Sequence, residues 1–214
     1  MAEARGVLAH HFDDLEQQKD AATLGMWVFL VTEILFFGGL FTAYLVYRSS
    51  YPLAWMAASH ELDVVLGGVN TAVLIASSLT MVLAVHAAQT GRRRALVLFL
   101  LLTVLLGSAF LGVKVVEYHH KFVEHHVPGP SFAFPGPHGR EAQLFFSLYF
   151  AMTGMHALHM VIGIVLLLNL VRQARAGRFT ADYYTPVDMT GLYWHFVDIV
   201  WVFLFPLLYL VGRH

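Results

Sequence analysis

Glu33 is the residue whose position in this sequence most clearly suggests chemistry, because no other acidic or basic side chain interrupts residues 23–47. The span is long enough to cross a bilayer whose hydrocarbon core is roughly 30 Å thick. A carboxyl group at that depth is costly in either protonation state, so it usually faces other protein and marks a site. We therefore predict that Glu33 is a protonated acid buried against a neighbouring helix. The alternative is an acid that only holds two helices together by a hydrogen bond.

Three histidines and an acid in the last two apolar spans form a second candidate site. His156 and His159 stand three residues apart, on one face of a helix. With His195 from the next span they could ligate a haem or a metal ion, although intramembrane histidines more often serve as hydrogen-bonded structural groups. Asp198 follows His195 by about one helical turn. These two could share a proton or a hydrogen bond, in a structural or a proton-handling role.

Polar side chains in the second and third spans favour structural roles. Lys114 and Glu117 are three residues apart, and charged groups within membrane spans usually pair with one another. We therefore predict an ion pair between them. Asn70, in the second span, is expected to link helices by hydrogen bonds.

The polar N-terminal segment carries a titratable patch formed by His10, His11, Asp13 and Asp14. Because histidine titrates near neutral pH, such a patch could collect protons at the mouth of a proton pathway. The alternative is an ordinary solvated tail. A second histidine-rich stretch, residues 119–126, could bind zinc or copper, although a solvated extension of the third helix is the simpler interpretation.

Composition places the chain among integral membrane proteins. Hydrophobic residues account for 58% of its 214 residues and charged residues for 13%, far from the balance of a soluble domain. The formal net charge of -1 gives no basis for nucleic-acid binding. The absence of cysteine excludes disulfides, thiolate metal sites and thiol catalysis. Residues 1–20 lack the apolar core of a signal peptide, so we expect the first span to act as an uncleaved insertion signal.

Five apolar stretches predict an all-α fold, an integral membrane bundle of five transmembrane helices. They cover residues 24–47, 64–88, 95–118, 142–171 and 190–211. The alternating pattern of barrel strands is missing, so a helical bundle follows. We divide the chain into a polar cytoplasmic segment, residues 1–23, and a membrane domain, residues 24–214. The one long linker is expected at residues 117–141, which contain a proline-rich stretch that cannot be helical.

Basic residues outside the spans predict an orientation with the N-terminus inside and the C-terminus outside. Eight of them then lie on the cytoplasmic side, namely Arg5, Lys19, Arg92, Arg93, Arg94, Arg172, Arg175 and Arg178. Four lie on the opposite side, namely Arg48, Lys121, Arg140 and Arg213.

Small and aromatic residues indicate where helices approach each other and where they meet the membrane surface. Glycine allows close contact between backbones, which we expect at Gly38, Gly39, Gly67, Gly68, Gly107, Gly112, Gly154 and Gly163. Aromatic residues near the span ends predict interfacial anchors at Tyr44, Tyr47, Tyr51, Trp55, Tyr118, Tyr193, Trp194 and Tyr209.

Four stretches of the sequence resemble, in order, successive helices of cytochrome c oxidase subunit III. They are MWVFLVTEILFFGGLFTAYLVYR, NTAVLIASSLTMVLAVHAAQ, FFSLYFAMTGMHALHMVIG and YWHFVDIVWVFLFPLLYL. The resemblance extends to GVKVVEY and to the histidine-rich start, so it covers nearly the whole chain. The chain is similar to the short bacterial form, which lacks the first two of the seven helices of mitochondrial members. Removing two helices keeps the orientation that the basic residues predict.

The resemblance implies a non-catalytic accessory subunit of a proton-pumping haem-copper terminal oxidase in the bacterial inner membrane. The haems and copper would lie in partner subunits, and this chain would bind no metal or haem of its own. It would pack on oxidase subunit I, support proton uptake and protect the oxidase during turnover. It would also hold phospholipid, although the two missing helices form one wall of the lipid cleft in longer members of the family.

The resemblance also implies family positions for individual residues. Glu33 corresponds to the carbodiimide-reactive membrane glutamate of the family. Five further residues fall on family motif positions with structural or unknown roles, namely Glu117, His156, His159, His195 and Asp198.

Three alternative functions remain open on the sequence. The first is the related accessory subunit of a nitric oxide reductase. The second is a small proton-coupled transporter that uses Glu33 and Asp198, and the third is a haem-carrying membrane cytochrome. The electron donor of an oxidase partner, cytochrome c or quinol, is not encoded here, because cytochrome c and quinol oxidases share this subunit type.

Overall fold

Six helices account for most of residues 10–135 and 138–211, the part of the chain that the computed structural model describes. In chain order they are α1 (Leu15–Ser50), α2 (Pro52–His60), α3 (Val64–Gln89), α4 (Arg93–Val123), α5 (Gly139–Arg175) and α6 (Thr185–Tyr209). All except α2 are long and apolar enough to cross a membrane. The predicted all-α bundle with five membrane spans is confirmed.

The helices extend beyond the predicted spans. The first helix begins at Leu15, inside the segment predicted to be a separate polar region, and α4 continues to Val123. The linker after α4 is therefore shorter than predicted, and the short helix α2 was not predicted at all. The physical reason is that hydropathy marks only the part of a helix that lies in hydrocarbon, whereas polar turns continue the same helix into water.

Aspartate side chains cap the starts of two membrane helices. The side chain of Asp14 accepts a hydrogen bond from the backbone N–H of Gln17 at 2.7 Å, at the start of α1. Gln17 returns the interaction by accepting from the backbone N–H of Asp13 at 2.8 Å. Asp63 caps α3 in the same way, by accepting from two backbone N–H groups. Such caps satisfy N–H groups that have no partner within the helix.

The helices form a bundle in which α1 is the least enclosed member. The helix α3 packs against α4 and α6, α5 packs against α4 and α6, and α2 packs against α5. The buried residues of α1 are Leu30, Phe37 and Tyr44, which stand seven residues apart on one narrow stripe. Most of the other residues of this long apolar helix are exposed or partly exposed, so much of its surface is open to lipid or to another protein.

Trp194 of α6 fills a notch that glycines leave in two neighbouring helices. A Cβ atom on Gly107 of α4 would lie 2.7 Å from the Trp194 ring, and one on Gly163 of α5 would lie 2.9 Å from it. The predicted close contacts at these glycines and at Gly67 are confirmed. The prediction is wrong within this chain for the glycines whose added Cβ would have open space, namely Gly38, Gly39 and Gly112.

Five residues predicted to be interfacial anchors instead belong to the core. They are Tyr193, which is 4% exposed, and the fully buried Tyr44, Trp55, Trp194 and Tyr209. The Tyr44 hydroxyl donates to the backbone oxygen of Leu207, and the Trp194 ring donates to Ser77 at 3.2 Å. Large aromatic side chains fill interhelical gaps and also carry one polar atom that needs a partner, so burial against another helix satisfies both properties.

Candidate functional site

Glu33 of α1 meets His159 of α5 within the membrane-spanning part of the bundle. Oε2 of Glu33 lies 3.1 Å from Nε2 of His159, and the two side chains are 19% and 11% exposed. The carboxyl group thus faces a neighbouring helix, with partial access to the lipid side. The Phe37 ring lies 5.4 Å from the imidazole, and Tyr193 stacks on it at 6.4 Å.

The hydrogen bonds of His159 determine how many protons the pair holds. Its Nδ1 lies 2.9 Å from the carbonyl oxygen of Met155, which can only accept, so Nδ1 carries a hydrogen. Nε2 and the Glu33 carboxyl group must then share one proton, because two facing lone pairs would repel each other at 3.1 Å. The pair is therefore neutral overall, which lowers the cost of placing an acid at this depth.

Lys114 and Glu117 of α4 form the predicted ion pair, within a larger buried cluster. Nζ of Lys114 donates to Oε2 of Glu117 at 3.0 Å and to the hydroxyl groups of Tyr209 and Tyr149 at 2.9 and 3.2 Å. Both hydroxyl groups donate in turn to Oε1 of Glu117. The Trp201 ring lies 5.0 Å from the ammonium group. The cluster joins α4, α5 and α6 around two opposite charges that are almost completely buried.

The two tyrosines of this cluster were not predicted from the sequence. A lysine ammonium has three hydrogens to donate, and a single carboxylate cannot accept all of them in a dry interior. The signal in the sequence that could have revealed them is that Lys114 needs hydrogen-bond acceptors in addition to Glu117. The sequence does not show which of several tyrosines lies at the same depth on α5 and α6.

His195 and Asp198 of α6 do not form the direct bond that their spacing allowed. Nδ1 of His195 lies 2.8 Å from Oγ of Ser78 on α3. Both carboxylate oxygens of Asp198 are buried, and neither has a hydrogen-bond partner among the described residues. Spacing along α6 alone therefore does not determine the partners of these two side chains.

His156 lies in an aromatic environment. Its ring is 5.4 Å from Phe110 and 5.3 Å from Trp201, and its Nε2 has no hydrogen-bond partner among the described residues. The expectation that both His156 and His159 are held by hydrogen bonds is therefore met for His159 and not for Nε2 of His156. These two histidines and His195 have different partners, and within residues 10–135 and 138–211 no group of three metal-ligating side chains comes together. The absence of haem and metal from this chain stays a prediction.

The patch at the N-terminus is exposed, and one member has a structural role. His10, His11 and Asp13 are exposed, and the rings of the two histidines are 5.0 Å apart. Asp14 is the N-cap of α1. A capping aspartate also places negative charge at the positive end of the helix dipole, so both its geometry and its charge favour the helix.

The histidine-rich stretch, residues 119–126, spans the end of α4, and its last histidine packs against α5. His126 is buried, stacks on Phe146 at 4.9 Å and lies 3.3 Å from Glu124. Burial lowers the pKa of His126, and the nearby Lys121 charge lowers it further. Burial alone would raise the pKa of Glu124, but the Lys121 hydrogen bond and charge outweigh it, so this pKa lies below its ordinary value.

Comparison with known proteins agrees with this architecture. The family model of cytochrome c oxidase subunit III matches residues 9–213. The chain belongs to this family. It is 34% identical to cytochrome c oxidase subunit 3 of Thermostichus vulcanus over 94% of this chain and 92% of that protein. It is 33% identical to cytochrome bo(3) ubiquinol oxidase subunit 3 of Pseudomonas aeruginosa over 99% and 95% of the two chains.

The subunit III of Papio hamadryas is longer than this chain. The two are 32% identical over 88% of this chain and 69% of the relative. The relatives include both cytochrome c oxidase and ubiquinol oxidase subunits, so the family does not assign an electron donor. Membership confirms the coarse prediction that the chain is a non-catalytic membrane subunit of a respiratory oxidase complex.

Replacing Lys114 by methionine should destabilise this subunit strongly. The substitution leaves the Glu117 carboxylate buried without a cation, at a cost of about 3–5 kcal/mol. The double variant Lys114→Met/Glu117→Gln removes both charges and should recover most of this loss. Thermal unfolding of the subunit in the solubilised complex, followed by limited proteolysis, measures the difference. Equal losses in the single and double variants would show that the ion pair is not what holds these helices.

A hydrophobic carbodiimide should modify Glu33, because this reagent attacks protonated carboxyl groups in apolar surroundings. Peptide mapping by mass spectrometry of treated membranes locates the adduct. Glu117 provides a comparison within the same bundle, since it is ionised against Lys114 and, at 4% exposed against 19% for Glu33, is more deeply buried, so it should remain unlabelled. Labelling confined to exposed acids such as Asp182 would contradict a proton on the Glu33 carboxyl group.

Proposed function

We propose that this chain packs on the catalytic subunit I of a proton-pumping haem-copper oxidase in the bacterial inner membrane, with its N-terminus in the cytoplasm. In this proposal the haems and copper reside in partner subunits, and this chain supports proton uptake and prolongs the working life of the enzyme. The observation that carries it is the pattern of charge and exposure in the bundle. Lys114 and Glu117, and likewise Glu33 and His159, neutralise each other within the bundle, while α1 presents a long apolar surface to its surroundings.

The open face of α1 is a suitable surface for packing against another membrane helix. Among the described residues, none lies within 4 Å of where a Cβ of Gly38 or Gly39 would stand, so a partner helix could approach the backbone closely there. Thr32 and Thr42 on the same helix donate to carbonyl groups of their own helix, which leaves no hydroxyl hydrogen unsatisfied in lipid.

Bound phospholipid is a further part of the proposal. A groove of about 570 Å³ separates α1 and α6, and its walls are almost entirely apolar. Residues that line it include Trp27, Leu30, Phe37, Phe41, Phe196 and Phe203. A groove of this chemistry on a membrane surface suits an acyl chain, with the aromatic rings providing most of the contact area.

The exposed N-terminal patch supports the part of the proposal that concerns protons. His10, His11 and Asp13 stand in water immediately before the first membrane helix. Acidic groups there raise the local concentration of protons, and histidines exchange them near neutral pH.

Neutralising the N-terminal patch should slow oxygen reduction mainly at alkaline pH, where bulk protons are scarce. The variant carries His10→Gln, His11→Gln, Asp13→Asn and Asp14→Asn, and it keeps the helix cap because asparagine caps as well as aspartate. We expect a decrease of up to about tenfold, the lower end of the gain that a focused field gives an on-rate. Oxygen uptake across pH measures it.

The matched control for this variant is Asp14→Ala. It removes the cap, at a cost of about 1 kcal/mol, but leaves the other three titratable groups in place. Its pH profile should follow that of the wild type. A slower rate at every pH in both variants would indicate damage to the helix start and would count against proton collection.

Removal of the whole subunit from the oxidase should shorten the period of turnover before inactivation. The haem spectrum should be intact at the start, because the proposal places the haems in partner subunits. Paired oxygen-uptake time courses, with and without the subunit, measure initial rate and lifetime separately. Identical rates and lifetimes in both preparations would indicate that this chain serves only as an assembly scaffold.

A further inference from the structure

A groove runs along the surface between α3 and α6. It consists of two adjoining cavities of about 310 Å³ and 470 Å³, which share Val82 and His195 in their walls. The smaller cavity is lined by the last turns of α3 and the first turns of α6, including His86, Gln89 and Asp188. The groove therefore has a polar mouth at one end of the bundle and leads to the central turns of both helices.

Asp198 lies in the wall of the larger cavity, away from the mouth. The residue is 6% exposed, and both carboxylate oxygens lack a hydrogen-bond partner among the described residues. The surrounding wall combines apolar residues such as Leu74 and Val202 with the hydroxyl group of Ser78. Because an unsatisfied buried carboxylate is costly, Asp198 requires either a proton or a donor that comes within hydrogen-bond distance, such as the Ser78 hydroxyl group in the same wall.

Ser78 and His195 connect Asp198 with the mouth of the groove. Oγ of Ser78 lies 2.8 Å from Nδ1 of His195, and Ser78 lines the same cavity as Asp198. His195 borders both cavities, so its ring stands between the polar mouth and the buried acid. A serine hydroxyl can accept a hydrogen bond from one neighbour and donate one to another, as a proton relay requires.

Other titratable groups on the helices around the groove are engaged elsewhere. Glu33 of α1 and His159 of α5 bond to each other, and His156 of α5 packs among aromatic rings. Lys114 and Glu117 of α4 form their own closed cluster. His195 is thus the titratable side chain that the structure links to Asp198 through a shared neighbour, with His86 and Asp188 at the mouth.

We propose that Asp198 is a proton-exchange site supplied from the mouth of the groove through His195 and Ser78. His195 takes up a proton from water at the mouth and becomes an imidazolium. Its Nδ1–H bond then breaks toward the Ser78 oxygen, while the hydroxyl proton of Ser78 passes to the Asp198 carboxylate. A neutral histidine, an intact serine and a neutral aspartic acid result, so one proton has entered and one negative charge has been removed.

A hydrogen-bond donor on a partner helix lying in the groove is the competing explanation for Asp198. Two observations favour proton exchange. The mouth is lined by titratable groups, and the bond between Ser78 and His195 is already formed in this chain. A partner helix that donates a hydrogen bond to Asp198 would require neither the titratable mouth nor this bond. The site does not involve the N-terminal patch, so it can be tested independently of the function proposed above.

Infrared difference spectroscopy of the purified oxidase complex tests this proposal. The difference between wild type and Asp198→Asn should contain the C=O stretch of a protonated carboxyl group that shifts in D₂O. The Glu33→Gln variant identifies the corresponding signal of the other membrane acid. Ser78→Ala should slow the isotope shift of the Asp198 signal by about tenfold, which corresponds to about 1.4 kcal/mol in the barrier.

Ser77→Ala is the matched control, because it removes the adjacent hydroxyl group of the same helix. Ser77 is fully buried and accepts a hydrogen bond from Trp194, outside the walls of the groove. Its loss should leave the exchange rate of Asp198 unchanged. Ser78→Thr, which keeps a hydroxyl group, should retain the wild-type rate and separates loss of the relay from loss of structure.

Two results would overturn the proposal. If no protonated carboxyl signal disappears in Asp198→Asn at any pH tested, Asp198 is permanently ionised and a partner's donor holds it. If the signal is present but Ser78→Ala leaves its exchange unchanged, or Ser77→Ala slows it equally, the route through Ser78 is wrong. An unaltered pH profile in the N-terminal variant bears only on the proposed function.

Discussion

Neutralisation of charge away from water is the constraint on which the rest of this structure depends. Hydrocarbon offers no hydrogen bonds, so each ionised group within the spans needs a partner in the protein. Lys114 and Glu117 meet this requirement together with Tyr149 and Tyr209, and in doing so they join three helices. The shared proton of Glu33 and His159 does the same between α1 and α5. The contacts that make these groups tolerable therefore also hold the helices in register.

In a membrane, helices must be held together mainly by close packing, because burial from water no longer provides a driving force. Lipid tails are as apolar as leucine, so helices associate through fit and through interhelical hydrogen bonds. Trp194 combines the two, because its ring fills the space left by Gly107 and Gly163 while its N–H group donates to Ser77. This tight centre contrasts with α1, whose open faces are available to partner subunits and lipid.

Glu33, Glu117 and Asp198 differ in the groups that neutralise their charge. Glu117 is fixed as an ion by a lysine, and Glu33 shares a single proton with an imidazole. Within the described part of the chain, neither carboxylate oxygen of Asp198 has a hydrogen-bond partner, and the residue lines a groove that reaches the surface. A carboxyl group whose charge is not fixed by its neighbours is the one that can change its protonation state.

The sequence by itself determined the five membrane spans and the ion pair between Lys114 and Glu117, because hydropathy and short spacings are properties of a single helix. It also determined the family, through the resemblance of whole stretches of sequence. It also identified Glu33, His159, His195 and Asp198 as candidate site residues, because they are polar side chains within apolar spans. Only the tertiary structure decided their partners. Glu33 and His159 are 126 residues apart and Ser78 and His195 are 117 apart, so helix rotation and depth, set by packing, decide which side chains meet.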